Sequence, residues 1–368
     1  MKLYVMTHKP FTPPPDPLYQ PLHVGRAHAK DLGFPGDDTG DSISEYNASF
    51  CELTGMYWIW KNDTDSDYLG ICHYRRYLID DAGKLFSETK LRQLLSDCDI
   101  ITTKLLTLPV PYEEGFAANH HSKDLLLTGE IIDRLYPDYS DTFRQLIHGK
   151  QTYFGNIFVT SKELYDRYCS WLFPILFAVR EQTDMTGYNG YQMRLYGFLA
   201  EFLQTVWIQK NHLKTVECMV GMSGEKYETH LLKEQLAACF LQKDFQKAQH
   251  LFEESYRKRP DILMEASDVT GELRICMQII STCSFEQEQY GHCILDELCD
   301  YRQLISHFHQ LNSMIRHLSQ SPVSELLPQE RTFLQSPPAV SPESVRIALQ
   351  LFCKDAGKQQ ELLQLLSM

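Results

Sequence analysis

The sequence predicts an α/β fold over residues 1–222, followed by a region that is helical only. Short apolar runs rich in β-branched and aromatic residues alternate with helical segments as far as residue 220. Such alternation is typical of helices packed on a mostly parallel sheet. From about residue 225 the apolar side chains recur at helical spacing, and no further strand is predicted. A chain of 368 residues suits about two domains.

The α/β region is predicted to contain strands and helices separated by two long loops. Ser49 and Glu52 form a capping-box pattern that starts the first helix. A proline-rich loop at 10–21 and a loop rich in Gly and Asp at 31–41 precede it. The predicted strands are 3–7, 68–74, 98–103, 153–160 and 213–220, and the predicted helices are 49–61, 88–96, 162–180 and 191–211.

The helical region is predicted in three parts. Residues 225–318 begin with one tetratricopeptide-like hairpin that ends at Pro260, and no second copy follows at the period of about 34 residues that defines a repeat array. Residues 319–342 are rich in Ser, Pro and Gln and predict a linker. Residues 343–368 predict a last helix.

The net charge and the cysteine content indicate which classes of protein are disfavoured. Lys and Arg number 35 against 48 Asp and Glu, and this net charge of −13 disfavours binding to nucleic acid. The 11 cysteines include no Cys-x-x-Cys motif, so we expect reduced, buried thiols. The N-terminal residues lack a signal-peptide pattern, and the apolar run at 168–179 is too short to span a bilayer. These features predict a soluble, cytoplasmic protein.

Two clusters of polar residues follow predicted strands. Thr7, His8 and Lys9 come directly after the first strand, and the sequence His-Tyr-Arg-Arg at 73–76 ends the strand at 68–74. Ligands of open α/β sheets bind beyond the carboxyl ends of strands, and arginine suits phosphate oxygens. Strand alternation would place Arg75 on the same face as His73 and Arg76 on the other. We therefore expect Arg75 to bind phosphate; surface ion pairs are the alternative.

Two acidic segments have other interpretations. Asp63-Thr64-Asp65-Ser66-Asp67 resembles a metal-binding pattern, but it precedes a strand, and a solvated turn is the favoured interpretation. The segment 41–47 leads into the first helix, where backbone N–H groups favour an anion; simple capping explains the same residues. No histidine pair has convincing metal-ligand spacing. We predict no protein metal site.

Several long motifs in order resemble one bacterial family. They lie at 5–9, 19–25, 36–45, 51–62 and 70–77 and read VMTHK, YQPLHVG, GDDTGDSISE, CELTGMYWIWKN and GICHYRRY. Together with later matches up to 208, they resemble the capsular and exopolysaccharide glycosyltransferase family known as domain of unknown function four-four-two-two. The resemblance covers about residues 1–222 and leaves the helical tail outside.

This resemblance implies a fold and an activity. The fold would be of the GT-A type found in nucleotide-sugar transferases. The activity would move a hexose, such as galactose, from a nucleotide sugar to a growing, lipid-linked glycan of capsule, exopolysaccharide or O-antigen. A UDP-sugar is the favoured donor. Because the tail lies outside these motifs, we expect it to serve docking on a partner or on the inner face of the membrane.

The resemblance also implies roles for particular residues. His73 and Arg75 would occupy the place of the Asp-x-Asp metal site of related folds. Arginine would then replace a divalent ion as electrophile, with Mn or Mg as the alternative. If the reaction inverts, a carboxylate acts as base, and Glu201, Asp184 and Glu52 are candidates. The expected donor-binding residues are Thr7, His8, Lys9, Asp41, Ser42, Ser44, Glu45, His73, Arg75 and Arg76.

Two other functions stay open from the sequence. One is a non-catalytic interaction protein that works through the helical tail. The other is a nucleotide-sugar hydrolase, which would release free sugar rather than link it to an acceptor.

Overall fold

The chain divides into two compact units, Met1–Ser223 and Gly224–Met368. The computed structural model describes residues 1–264, 267–321 and 326–366. The first unit, which is described throughout, has a central sheet, and the described residues of the second unit are helical. No helix in the described part of the chain combines the length and apolar character needed to cross a membrane.

The first unit contains nine strands and eight α-helices. The strands are β1 (Lys2–Thr7), β2 (Tyr19–His23), β3 (Tyr68–His73), β4 (Arg76–Ile79), β5 (Ile100–Thr103), β6 (Leu106–Thr107), β7 (Gln151–Thr152), β8 (Phe158–Ser161) and β9 (Thr215–Met222). The helices are α1 (Asn47–Phe50), α2 (Leu53–Asn62), α3 (Glu88–Leu95), α4 (Tyr112–Ala117), α5 (Ser122–Leu135), α6 (Ser140–Ile147), α7 (Lys162–Gln182) and α8 (Leu195–Lys210).

The central sheet is mixed rather than mostly parallel. Its seven strands lie in the order β2-β1-β3-β4-β9-β5-β8, with a further pairing between β3 and β8. Strand β1 is parallel to β2 and β3, and β5 is parallel to β9. The remaining pairs, β3–β4, β3–β8, β4–β9 and β5–β8, are antiparallel. The prediction of a mostly parallel sheet was wrong because the two-residue link between β3 and β4 can only join antiparallel strands.

Both faces of the sheet are covered, as the alternation along β1 shows. Tyr4 and Met6 belong to a large core with side chains of α2, α7 and α8, whereas Leu3 and Val5 pack on the other face with side chains of α3. A sheet buried on both faces leaves its strand ends as the accessible part. The carboxyl ends of β1 and β3 are therefore where polar side chains can meet a ligand.

The acidic segment before β3 is a structural anchor. The Asp63 carboxylate is buried and accepts hydrogen bonds from the Tyr4 hydroxyl at 2.6 Å and the Ser66 hydroxyl at 2.7 Å. Lys2 Nζ lies 3.3 Å from it. Burial opposes ionisation, but these donors outweigh burial and lower the pKa of Asp63 to about 2. The prediction of a solvated turn was wrong for Asp63, although Asp65 is exposed.

Asp63→Asn is expected to destabilise the protein in a pH-dependent manner. The folded-state pKa lies below the ordinary value of 3.8, so the carboxylate contributes stability above that value and loses it as the pH falls towards 2. We expect a loss of about 2 kcal/mol at pH 7 and almost none near pH 2. Urea unfolding at several pH values measures this loss, and Asp65→Asn is the exposed control. Equal destabilisation by both variants would contradict the assignment.

The described residues of the second unit form helices α9 (Tyr227–Leu241), α10 (Phe245–Lys258), α11 (Glu272–Tyr290), α12 (Tyr301–Gln320), α13 (Pro328–Leu334), α14 (Pro342–Phe352) and α15 (Ala356–Leu366). They bury a core of their own. The α9–α10 hairpin, which turns at Lys243 and Asp244, lies where the sequence predicts a hairpin.

Two predictions for the end of the chain were wrong. The expected linker at 319–342 contains α13, which Pro328 starts and Glu330 caps by accepting from the Leu327 N–H at 2.7 Å. Its first two residues belong to α12, and residues 322–325 lie outside the described part. The expected single helix at 343–368 is two helices over its described residues, because the Asp355 carboxylate accepts from the Lys358 N–H and starts α15 anew; residues 367–368 lie outside the described part.

Candidate functional site

Three parallel strands end at one edge of the sheet. Thr7 of β1 lies opposite His23 of β2, and Met6 lies opposite His73 of β3. The N–H of Tyr74 donates to the Met6 carbonyl at 3.0 Å, which extends the pairing past the end of β3. Ligands of such sheets bind beyond these carboxyl ends, so the edge is a candidate site.

Aromatic rings cover this edge around Tyr74. The His8 ring meets the Tyr74 ring edge to face at a centroid distance of 5.5 Å, and Phe11 lies 6.0 Å from Tyr74 and 5.5 Å from Phe34. The guanidinium carbon of Arg75 is 5.3 Å from the Tyr74 ring centroid. We call these five residues the aromatic edge. None of them is fully buried, so it offers ring surfaces and a cation to a ligand.

The residues expected to bind the sugar-nucleotide donor at the end of β1 differ in their exposure to solvent. The buried Thr7 hydroxyl donates to the Lys9 carbonyl at 2.6 Å and accepts from the Lys9 N–H at 3.2 Å. This turn presents His8, which is exposed, and Lys9, which is partly exposed. Thr7 therefore shapes the turn, while the side chains of the next two residues face solvent.

Ser42 and Ser44 hold the loop before α1 in place. The fully buried Asp37 carboxylate accepts from the Gly25 N–H at 3.0 Å and from the Ser44 hydroxyl at 2.5 Å. The Ser42 hydroxyl donates to the Asp37 carbonyl oxygen. Because Gly25 follows β2, these contacts attach the loop to the same edge of the sheet. Both serine hydroxyls therefore have structural roles.

Asp41 and Glu45 lie on the outside of that loop. The Asp41 carboxylate accepts from the Tyr57 hydroxyl at 3.1 Å, and its N–H donates to the Asn62 side chain at 3.1 Å. Glu45 is exposed. The printed contacts of Asp41 thus join the loop to α2, and the role of both residues toward a donor stays a prediction.

A tight turn changes which arginine lies beside His73. Strand β3 ends at His73 and β4 begins at Arg76, so Tyr74 and Arg75 form the turn and His73 pairs directly with Arg76. Directly paired residues of antiparallel strands share a face of the sheet. The expectation that His73 shares its face with Arg75 was therefore wrong, because it assumed a strand that continues without turning.

His73 is neutral and has a defined orientation. Its Nε2 donates to the Gly155 carbonyl at 2.8 Å, since a carbonyl oxygen can only accept. Burial and the Arg76 guanidinium together lower the pKa of His73 to about 4. The ring is thus uncharged at neutral pH and links β3 to the loop before β8.

Glu52 occupies a break in the expected helix. The structure has two short helices, α1 and α2, because Cys51 adopts φ 52° and ψ −130°. Instead of capping Ser49, the Glu52 carboxylate accepts from the Asn156 amide at 2.6 Å. The capping-box prediction was wrong because this long-range hydrogen bond turns Glu52 away from the helix start.

Arg194 lies among the same groups. It is the last residue of the 3₁₀ turn Gln192–Arg194 before α8, and its guanidinium hydrogen-bonds the Cys51 sulfur. Burial opposes its charge, but Cys51, Glu52 and Glu201 together raise the pKa of Arg194. Burial also opposes ionisation of Glu52, yet His73, Asn156 and Arg194 hold the pKa of Glu52 below its ordinary value.

Glu201 has the opposite electrostatic environment from Glu52. Burial first, and then the Glu52 carboxylate, raise the pKa of Glu201 to about 7, and Arg76, Arg194 and a backbone hydrogen bond from Gly155 limit the rise. Both carboxylates are partly exposed. Solvent therefore reaches both residues, and neither lies in a closed core.

This arrangement gives the Glu52 and Glu201 carboxylates different pKa values. Glu52 is ionised at neutral pH, while Glu201 exchanges a proton near neutrality, as a general acid or base does. When Glu201 is protonated, the two guanidinium groups outnumber the one ionised carboxylate, so these residues favour an anion although the protein is acidic overall. We call this set the Glu201 cluster; its members are Glu52, His73, Arg76, Asn156, Arg194 and Glu201.

The family model described as domain of unknown function DUF4422 matches residues 2–212. The chain belongs to the DUF4422 family. All members of the Glu201 cluster and of the aromatic edge lie within the DUF4422 match. The structure is also similar to the apo structure of WbbM, described as a bifunctional glycosyltransferase, with a TM-score of 0.56 and 30% sequence identity. That similarity covers 62% of this chain, which spans 46% of the WbbM chain. No curated protein is a significant match.

Asp184, the other expected base of this DUF4422 chain, is exposed after α7. Its carboxylate accepts from the Thr186 N–H at 2.9 Å, and hydrogen bonds from the Thr186 side chain and from this N–H lower the pKa of Asp184. An ionised, solvated carboxylate is a weak base. Across residues 1–264, 267–321 and 326–366, no group of three or more His, Cys, Asp or Glu side chains is placed to hold a metal ion.

Sequence reasoning did not single out Arg194 or the role of Asn156 in the DUF4422 site. Gly155 and Asn156 both have positive φ, at 98° and 47°, and a Gly-Asn pair is a usable signal for such a turn. Arg194 carries no such local signal, since only the packing of α8 brings it to Glu52.

Proposed function

We propose that the chain is a glycosyltransferase that uses a nucleotide-sugar donor, with Glu201 as the general base. The Glu201 cluster is the observation that carries this proposal. It combines a carboxyl group that titrates near neutrality with two guanidinium groups, directly beside the end of β3. The similarity to WbbM and the DUF4422 membership support the same reaction class.

The donor is proposed to extend from the aromatic edge to the Glu201 cluster. The aromatic edge would stack on the base, and Lys9 and Arg75 would bind phosphate oxygens, as lysine and arginine side chains do. The sugar would then point towards the Glu201 cluster. We propose a UDP-hexose as donor and a lipid-linked glycan as acceptor, within the GT-A type of fold.

The chemical step needs one proton transfer and one displacement. Glu201 removes the proton of the acceptor hydroxyl, whose oxygen forms a bond to the anomeric carbon. The bond from that carbon to the diphosphate oxygen breaks, and the electron pair leaves with the diphosphate. Arg76 and Arg194 stabilise the developing negative charge by hydrogen bonds fixed in advance. This sequence gives inversion at the anomeric carbon.

Donor binding is expected to stabilise the protein against heat. A ligand that binds only the folded state at 100 times its Kd adds about 2.7 kcal/mol. We expect one class among UDP-, GDP- and dTDP-sugars to raise Tm, with Arg75→Lys weakening the effect because lysine lacks the planar fork. The exposed Arg92→Lys is the matched control. No shift with any sugar nucleotide would contradict the proposed donor site.

A further inference from the structure

The position of Glu52 depends on strained backbone at two residues, its neighbour Cys51 and its hydrogen-bond partner Asn156. Cys51 lies at φ 52° and ψ −130°, a region that residues other than glycine rarely adopt. Asn156, the partner of Glu52, lies at φ 47°. Such residues are strained and persist only where the surroundings enforce them.

Asn156 also leaves a buried acceptor without a partner. Its amide nitrogen donates to Glu52 Oε1 at 2.6 Å and to the Gly197 carbonyl at 3.3 Å. Both neighbours can only accept, which fixes the amide orientation and leaves Oδ1 with no hydrogen-bond partner among the described residues. Asn156 is fully buried, so this unsatisfied oxygen carries a desolvation cost. Despite this cost, the Asn156 amide holds the Glu52 carboxylate in a fixed position.

The chemistry of Glu52 selects what it can bind. It is partly exposed, and its hydrogen bonds from the Asn156 amide and its own backbone N–H use only part of the capacity of a carboxylate, which accepts about four. Diphosphate oxygens carry no proton and would be repelled by it. A sugar hydroxyl donates, and two neighbouring hydroxyls match the two oxygens of one carboxylate.

We propose that Glu52 binds two neighbouring hydroxyl groups of the transferred hexose, and that Asn156 is the positioning residue that fixes its carboxylate. This assignment rests on the proposed function and adds to it the part of the donor that the Glu201 cluster recognises. The nucleotide and diphosphate lie on the aromatic edge, and the hexose lies on Glu52. Specificity for the sugar and affinity for the nucleotide are then carried by different residues.

The test compares UDP with UDP-hexoses in calorimetric titration of the full chain. We expect wild type to bind one UDP-hexose at least tenfold more tightly than UDP. Glu52→Gln and Asn156→Gly should remove that difference and leave the Kd of UDP unchanged, because glycine tolerates the φ of Asn156. His212→Gly is the matched control, since His212 also has positive φ, at 50°, and lies outside the cluster.

A second measurement changes the sugar of the donor. Wild type should lose at least tenfold in affinity for analogues that lack either of two neighbouring hydroxyls, and Glu52→Gln should show no such loss. Equal weakening of UDP and UDP-hexose in both variants, or an effect on acceptor KM alone, would overturn the assignment. Failure of wild type to bind any nucleotide would contradict the proposed function itself and this assignment with it.

Discussion

Glu201→Gln is expected to lower turnover by about 10²–10⁴-fold, because it removes the general base and changes little else in shape. Wild-type kcat/KM should rise with pH through an apparent pKa near 7, since the Glu201 pKa lies there and the base must be deprotonated. The Glu201→Gln variant should lose this rising limb of the pH profile. Asp184→Asn, which alters the exposed rival carboxylate, should keep both turnover and the pH profile.

The same substitution should stabilise the protein at alkaline pH. The folded state raises the Glu201 pKa from 4.5 to about 7, so folding binds a proton and ionisation opposes it. Stability is therefore lost as the pH rises from about 4.5 through 7, by about 3 kcal/mol at most. Glu201→Gln should be more stable than wild type at pH 8 and equal to it at pH 4. Destabilisation at pH 8, or full activity, would contradict the assigned role.

Arg76→Lys is expected to lower kcat by about 10²-fold, the cost of losing one fixed donor to a developing charge. Lysine keeps the charge but not the planar fork. Arg76→Met, which removes the charge, should also move the pH limb to higher pH, because the Arg76 guanidinium lowers the Glu201 pKa. A stopped assay across pH 5–9 measures both effects.

Arg75→Lys distinguishes the role of Arg75 from that of Arg76. Arg75 contacts Tyr74 on the aromatic edge, whereas Arg76 pairs with His73 and acts on Glu201. We expect Arg75→Lys to raise the KM for donor and to leave the pH limb in place. A reversed pattern, with Arg75 controlling the pH limb, would contradict the assignment of Arg76 to the Glu201 cluster.

Strands β1 and β3 and the polar residues at their carboxyl ends could be predicted from the sequence because their signals are local. Apolar runs of β-rich residues mark β1 and β3, and polar residues follow each strand directly. The placement of His73 and Arg76 could not be predicted in the same way. Their turn, Tyr74-Arg75, contains none of the Gly, Asn or Pro residues that mark tight turns, so the strand seemed to continue.

The Glu201 cluster depends on contacts between distant segments. Glu52 has a plausible local role as a helix cap, and the bond to Asn156, 104 residues away, replaces that role. The raised pKa of Glu201 follows from burial and from Glu52, which lies between α1 and α2. Neither effect has a pattern within either segment, which is why three candidate bases were equal in the sequence and unequal in the structure.

Product analysis with the active donor and a glycan acceptor tests the central claim most directly. Mass spectrometry should show the hexose linked to the acceptor by the wild-type chain, with nucleoside diphosphate released in equal amount and Glu201→Gln about 10²-fold slower or more. Free hexose as the main product in the presence of acceptor would instead show a nucleotide-sugar hydrolase. Linked product formed at the wild-type rate by Glu201→Gln would contradict the role of the Glu201 cluster.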